Sequence, residues 1–105
     1  MSAAKKPDHY TLLREQHPDL LDAVEALGEA AAGAGPLPAT TLELLKLAAA
    51  AALRSEGDVR SQVRRALAEG ASEEEISHAL VGLTSTIGFP AVAAALSWAH
   101  KDLDG

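Results

Sequence analysis

Apolar residues recur every three or four positions along most of this chain, which is the spacing of amphipathic α-helices. The first such segment follows Pro18, a residue suited to the first turn of a helix. A short helical turn is predicted before it, and the sequence AGAGPLP (residues 32–38) predicts a loop after it. The apolar residues that share one face of this predicted helix are Leu20, Leu21, Val24 and Leu27.

The segment after this loop predicts a helix that is apolar nearly all round, over residues 42–53. Such a helix is expected to lie in a core or in an interface rather than on the surface. Thr40 and Glu43 have the T-x-x-E spacing of a capping box, which predicts the helix start. The sequence RSEG interrupts the pattern, with Gly57 as the predicted C-terminal stop.

The remaining pattern predicts three more helices. One covers residues 58–69, with Asp58 as its N-cap, and the next starts at a second capping box formed by Ser72 and Glu75. The last begins at Pro90, after a break at a glycine. Because no segment alternates with the period of a strand, the sequence predicts an all-α fold, a single-domain helical bundle of about five to six helices.

Composition adds an expectation about assembly and partners. The chain has 105 residues, of which 48% are hydrophobic and only 3% aromatic, and alanine supplies much of the apolar content. Small side chains bury little area, so a lone chain of this size has limited core stabilisation, and we expect a homo-oligomer. Nine basic against 15 acidic residues give a net charge of −6, which disfavours nucleic acid and membrane surfaces as partners.

The residue types that are missing exclude several chemistries. Cysteine is absent, which excludes disulfides, thiolate catalysis and thiolate metal sites. The first ten residues contain two lysines but no apolar stretch, so we expect no signal peptide and a cytoplasmic location. Four histidines lack metal-ligand spacing on any one helix, and we expect no metal site. They are His9, His17, His78 and His100.

One part of the chain resembles a known family. The segment RRALAEGASEEEISHALVGLTSTIGFPAVAAAL (residues 64–96) looks like the carboxymuconolactone decarboxylase family, which also contains the alkylhydroperoxidase D-like (AhpD-like) proteins. The shared features are Ala66 with Gly70, the helix start SEEEI (residues 72–76) and the sequence GFP (residues 88–90). It is the order and spacing of these short motifs that carries the resemblance.

The resemblance spans roughly residues 42–98. It implies an all-α, AhpD-like fold that assembles into trimers or hexamers. We therefore expect one domain of this type over residues 1–105, in which residues 1–38 form an N-terminal helical extension and loop.

Peroxidase-type members of the family carry the motif E-x11-C-x2-C-x3-H. Here Glu43 occupies the first position, Ser55 and Asp58 stand in place of the cysteines, and Gln62 in place of the histidine. Decarboxylase-type members keep a histidine that aligns with Gln62, so the chain departs from both patterns. A serine hydroxyl does not cycle between redox states and a glutamine does not titrate, which excludes thiol peroxidase activity through this motif.

Two functions stay open at this point. In the first, Glu43 and Asp58 are the catalytic acid and base in an apolar cleft, and Ser55 and Gln62 bind a small acidic metabolite without any cofactor. In the second, the chain is a non-catalytic oligomeric module with a degenerate active site. There Glu43 caps its helix or pairs with Lys46, Asp58 is an N-cap, and Ser55 hydrogen-bonds local backbone.

Overall fold

The computed structural model describes residues 9–103, which fall into two compact units, one ending at Pro36 and one starting at Leu37. These residues contain seven α-helices, a 3₁₀ turn and no strand, which confirms the all-α prediction. Residues 1–8 lie outside the described range, and they include most of the segment for which we expect no signal peptide. The elements are α1 His9–Gln16, α2 Pro18–Ala32, α3 Ala39–Ala52, α4 Glu56–Ala68, α5 Glu73–Val81, α6 Thr84–Ile87, α7 Phe89–Ala99 and the 3₁₀ turn His100–Asp102.

In the N-terminal unit, polar side chains join α1 to α2. Arg14 donates hydrogen bonds to Asp22 Oδ1 and to Glu25 Oε2, each at 2.6 Å. The Tyr10 hydroxyl donates to the same Glu25 oxygen at 2.6 Å. The bond from Tyr10, followed by that from Arg14, lowers the pKa of Glu25 below its ordinary value.

The apolar face predicted for α2 has the expected helical spacing, yet it is mostly exposed. Leu21 is buried, whereas Leu20, Val24 and Leu27 are more than half exposed, Leu27 at 69%. A stripe of this kind is what an interaction surface requires. Over residues 9–103, no helix combines the length and the hydropathy needed to cross a membrane.

In the C-terminal unit, α3 and α4 are neighbours that run in opposite directions. The Thr40 hydroxyl, at the start of α3, donates to the carbonyl oxygen of Glu69, at the end of α4, at 3.1 Å. Helices α5 and α7 complete the packing around this pair. The largest fully buried side chains of the unit are Leu47, Val59, Val63, Ile76, Leu80 and Val92.

A tight turn joins α3 to α4. The N–H of Arg54 donates to Ala51 O at 3.1 Å, and the N–H of Ser55 donates to Ala50 O at 3.2 Å, which is the Schellman pattern of a helix end. Arg54 has a φ of +57°, a left-handed conformation that usually selects glycine. Gly57, the predicted stop, lies instead in the first turn of α4, so that prediction was wrong. The chain reverses at Arg54, three residues before Gly57, because Arg54 itself adopts the left-handed conformation.

The helix starts and stops after α4 largely follow the sequence. Ser72 and Glu75 form the predicted capping box, with bonds of 3.0 and 2.8 Å. The helix that starts there ends at Gly82, and a separate single turn, α6, follows. Gly88 has a φ of +91°, which only glycine adopts readily, and α7 begins directly after it at Phe89.

Ion pairs hold the C-terminal 3₁₀ turn against α4. Asp102 accepts hydrogen bonds from Arg60 Nε at 2.7 Å and from Arg64 Nη1 at 3.0 Å, and its side chain is only 10% exposed. Lys101 pairs with Glu56 at 2.8 Å. The hydrogen bond from Arg60, assisted by that from Arg64, holds the pKa of Asp102 below its ordinary value.

Replacing Asp102 with Asn should lower the stability of the folded chain in a pH-dependent way. Because the pKa of Asp102 is lowered on folding, its contribution is present above its ordinary value of 3.8 and is lost as the pH falls through the folded-state value. We therefore expect Asp102→Asn to lower the melting temperature at neutral pH, and the deficit to shrink toward about pH 3.

Thermal unfolding followed by circular dichroism at several pH values measures this effect. Glu69→Gln removes an exposed carboxylate at the end of α4 and is the charge-matched control. A deficit of equal size at acidic and neutral pH, or one reproduced by the control, would contradict the role given to Asp102.

Candidate functional site

Glu43 does not cap α3, although its spacing from Thr40 predicts a capping box. The helix begins at Ala39, Pro38 is its N-cap residue, and no side chain caps it. Thr40 therefore lies inside the first turn, and its hydroxyl binds the carbonyl oxygen of Glu69 instead of the backbone of α3. The predicted capping box of Thr40 with Glu43 was wrong because this contact with α4 competes for the hydroxyl.

The Glu43 carboxylate is largely buried, and only one of its two oxygens has a hydrogen-bond partner. Its side chain is 15% exposed, and its Oε2 lies 3.5 Å from Lys46 Nζ, as the alternative interpretation of Glu43 predicted. Its Oε1 is buried without a hydrogen-bond partner. Leaving a buried acceptor unpaired costs roughly 1–3 kcal/mol, so such atoms are rare in folded proteins and deserve a functional explanation.

At the start of α4, Ser55 has the N-cap role that was predicted for Asp58. Ser55 is the N-cap, with extended backbone, and its Oγ accepts a hydrogen bond from the N–H of Asp58 at 3.4 Å. The prediction that Ser55 bonds local backbone is confirmed. The prediction that Asp58 is the N-cap was wrong, because the turn at Arg54 starts the helix at Glu56. The Asp58 side chain is exposed in the first turn.

Gln62 lies on the side of α4 that faces α3. Its Oε1 is buried and, like the Oε1 of Glu43, has no hydrogen-bond partner. The hydrogen bond from Thr40 to Glu69 fixes the antiparallel register of the two helices. Gln62 lines a groove together with Lys46, and Glu43 precedes Lys46 by three residues on α3.

A groove of about 330 Å³ runs between the two helices. The structure brings Asp58 and Gln62 together on its α4 side, while Ser55 does not line it. Glu43 lies beside the groove, one turn before Lys46 on α3, and the contact with Lys46 links it to the lining. The lining residues are Lys46, Ala49, Ala50, Leu53, Asp58 and Gln62.

Lys46 is the charged groove residue for which the sequence predicted no role in a binding site. Its ammonium group is the only cation among the lining residues of the groove. The signal in the sequence was its position three residues after Glu43, which places both side chains on one face of α3. The groove thus offers an ammonium group, an exposed carboxylate and an amide, with mostly apolar walls, which suits a small polar molecule.

A second cavity, of about 820 Å³, lies where α5 starts, beside the C-terminal 3₁₀ turn. Glu75 is occupied in the capping box there, and no side chain of this cavity has a buried atom without a partner. Within residues 9–103, no group of three His, Asp or Glu side chains is arranged to hold a metal ion. The lining residues are Ser72, Glu73, Glu74, Glu75, Ser77, His78, His100 and Leu103.

Comparison with known proteins identifies a family to which most of the chain is similar. Residues 18–101 match the sequence model of the Carboxymuconolactone decarboxylase family. No curated protein matches the chain. The matched range contains every residue of the groove, together with Glu43 and Ser55.

Because the Ser55 hydroxyl is engaged at the helix start, we expect its loss to affect folding rather than ligand binding. Ser55→Ala should lower the free energy of unfolding by about 1 kcal/mol, the usual effect of removing an N-cap. Urea denaturation measures this change. Ser61→Ala, in the middle of α4, is the matched control and should have little effect. An unchanged unfolding midpoint for Ser55→Ala would contradict the capping role.

Proposed function

The chain belongs to the carboxymuconolactone decarboxylase family, and we propose that it is a member without thiol peroxidase activity that binds a small acidic metabolite in the groove between α3 and α4. In this proposal Glu43 transfers a proton to or from the bound molecule, and no cofactor takes part. The observation that carries the proposal is the enclosed Glu43 carboxylate, with one oxygen beside Lys46 and the other unpaired.

The geometry of Glu43 suits proton transfer better than a structural role. The carboxylate does not cap α3, and the contact with Lys46 is long for a hydrogen bond. A carboxylate positioned on a rigid helix, with a free oxygen, is the group that enolisation or decarboxylation of an acid requires. Asp58, at the exposed edge of the groove, is the second carboxylate, and the two differ strongly in exposure.

The ligand class follows from the other polar groups of the groove. The ammonium group of Lys46 provides a donor for a carboxylate of the ligand. The amide of Gln62 can hydrogen-bond a carbonyl but cannot accept a proton, so it takes part in binding only. The chain lacks cysteine, so thiolate chemistry is excluded from the groove.

A non-catalytic oligomeric module is the second candidate function, and the exposed apolar face of α2 supports the assembly on which it rests. Ten large hydrophobic side chains are exposed within the described residues, and Leu20, Val24 and Leu27 among them share that face. We propose that some of the ten are covered in a trimer or hexamer, an assembly that is compatible with either function of the groove. They are Tyr10, Leu12, Leu20, Val24, Leu27, Leu37, Leu45, Leu53, Val81 and Phe89.

The proposed function predicts that small lactones and keto acids raise the melting temperature of the protein. Among those that do, we expect turnover that falls by roughly 100-fold or more in Glu43→Gln, because the amide cannot take the proton. Thermal-shift screening followed by an assay of substrate consumption measures both. Glu74→Gln, which alters a carboxylate of the other cavity, should leave turnover unchanged. A ligand response that is identical in Glu43→Gln, with no turnover in either protein, would argue for the non-catalytic module.

Assembly has its own test. Size-exclusion chromatography with light scattering should give the mass of a trimer or hexamer at micromolar concentration. Leu27→Glu introduces a charge into the exposed stripe of α2 and should reduce that mass. Ala26→Glu, which points away from the stripe on the same helix, is the control. A wild-type protein that stays monomeric would overturn the proposal.

A further inference from the structure

The two unpaired oxygens beside the groove carry an inference about which acids it accepts. We propose, resting on the proposed function, that the groove selects hydroxy acids over acids that lack a hydroxyl group. The carboxylate of such a ligand binds Lys46, and its hydroxyl donates a hydrogen bond to Gln62 Oε1 or Glu43 Oε1.

The unpaired acceptors lie on the two helices that form the groove. Among the residues that the structure describes, Glu43 and Gln62 are the two whose side chains have a buried oxygen or nitrogen without a hydrogen-bond partner. Gln62 lines the groove beside Lys46, and Lys46 contacts the other oxygen of Glu43. Both atoms are acceptors, so what this position lacks is a donor.

None of the polar side chains nearby donates to these two oxygens in the structure. The Thr40 hydroxyl donates to the carbonyl oxygen of Glu69, the Ser55 Oγ accepts from the N–H of Asp58, and Lys46 contacts the other oxygen of Glu43. A bound molecule that carries a donor group can therefore pair with either unpaired oxygen.

The groove gives such a molecule access through small side-chain movements. Gln62 lines the groove, so rotation of its amide brings Oε1 from the helix interface to the groove surface. The contact between Lys46 and Glu43 is 3.5 Å long, and a ligand carboxylate competes for the ammonium group. When Lys46 turns toward the ligand, the Glu43 carboxylate becomes reachable as well.

An acid without a hydroxyl brings only acceptors into this groove. It pairs with Lys46 but leaves the oxygens of Gln62 and Glu43 unpaired, so it forms one hydrogen bond fewer than an acid that carries a hydroxyl. A hydroxyl supplies the donor without adding a charge beside Lys46. The two unpaired acceptors therefore favour ligands that carry a hydroxyl group.

Malate and succinate test this selection, because they carry the same two carboxylates and differ by one hydroxyl. We expect malate to bind about tenfold more tightly in calorimetric or NMR titrations, within the range that one hydrogen bond to a buried partner provides. Gln62→Leu should remove most of this preference. Because it also removes an unpaired buried acceptor, it should raise the melting temperature of the unliganded protein. Ser61→Ala, the neighbouring control on α4, should keep both properties of the wild type.

The possible outcomes separate the inference from the proposed function. Equal affinity for malate and succinate, with binding that still depends on Lys46 and Glu43, would overturn the selection and leave the proposed function intact. Binding of neither acid at millimolar concentration, while lactones or keto acids still raise the melting temperature, would overturn the inference alone; no response to any of these ligands would overturn both. A lower melting temperature for unliganded Gln62→Leu would show that its oxygen is paired, which removes the basis of the inference.

Discussion

The antiparallel pairing of α3 with α4 is the constraint on which the rest of the C-terminal unit depends. It is fixed at one end by the hydrogen bond from Thr40 to Glu69 and at the other by the tight turn at Arg54. Between these points the two helices face each other, with Lys46 on one wall of the groove and Gln62 on the other. The groove is therefore a consequence of how two helices meet rather than of a loop that shapes itself around a ligand.

The same contact explains which helix starts could be predicted. The capping box of Ser72 and Glu75 forms as its spacing indicates, because the interaction is local and nothing competes for the serine hydroxyl. The same spacing at Thr40 and Glu43 fails, because the Thr40 hydroxyl finds a carbonyl 29 residues along the chain. A local pattern carries no information about a partner at that distance. The helices themselves, and the all-α fold, could be predicted from periodicity alone.

The sequence singled out the residues of the candidate site but could not predict their atomic contacts. The family resemblance selected Glu43, Ser55, Asp58 and Gln62 by their spacing, and the structure places two of them in the groove and one beside it. Which oxygen is buried, and whether it has a partner, depends on the side chains of both helices at once. Periodicity gives the face on which a residue lies, but the missing partner of a single atom is a property of the packed structure.

The family resemblance implies a histidine at the position of Gln62, and the amide changes what the groove can do with a proton. An imidazole accepts and releases protons near neutral pH, whereas an amide only donates and accepts hydrogen bonds. In the proposed function proton transfer therefore rests on Glu43, which is largely buried, whereas Asp58 is exposed. A single enclosed carboxylate can remove a proton and return it to another atom of the same molecule. Isomerisation or decarboxylation of a bound acid needs no more than that, whereas peroxide reduction needs the thiols that this chain lacks.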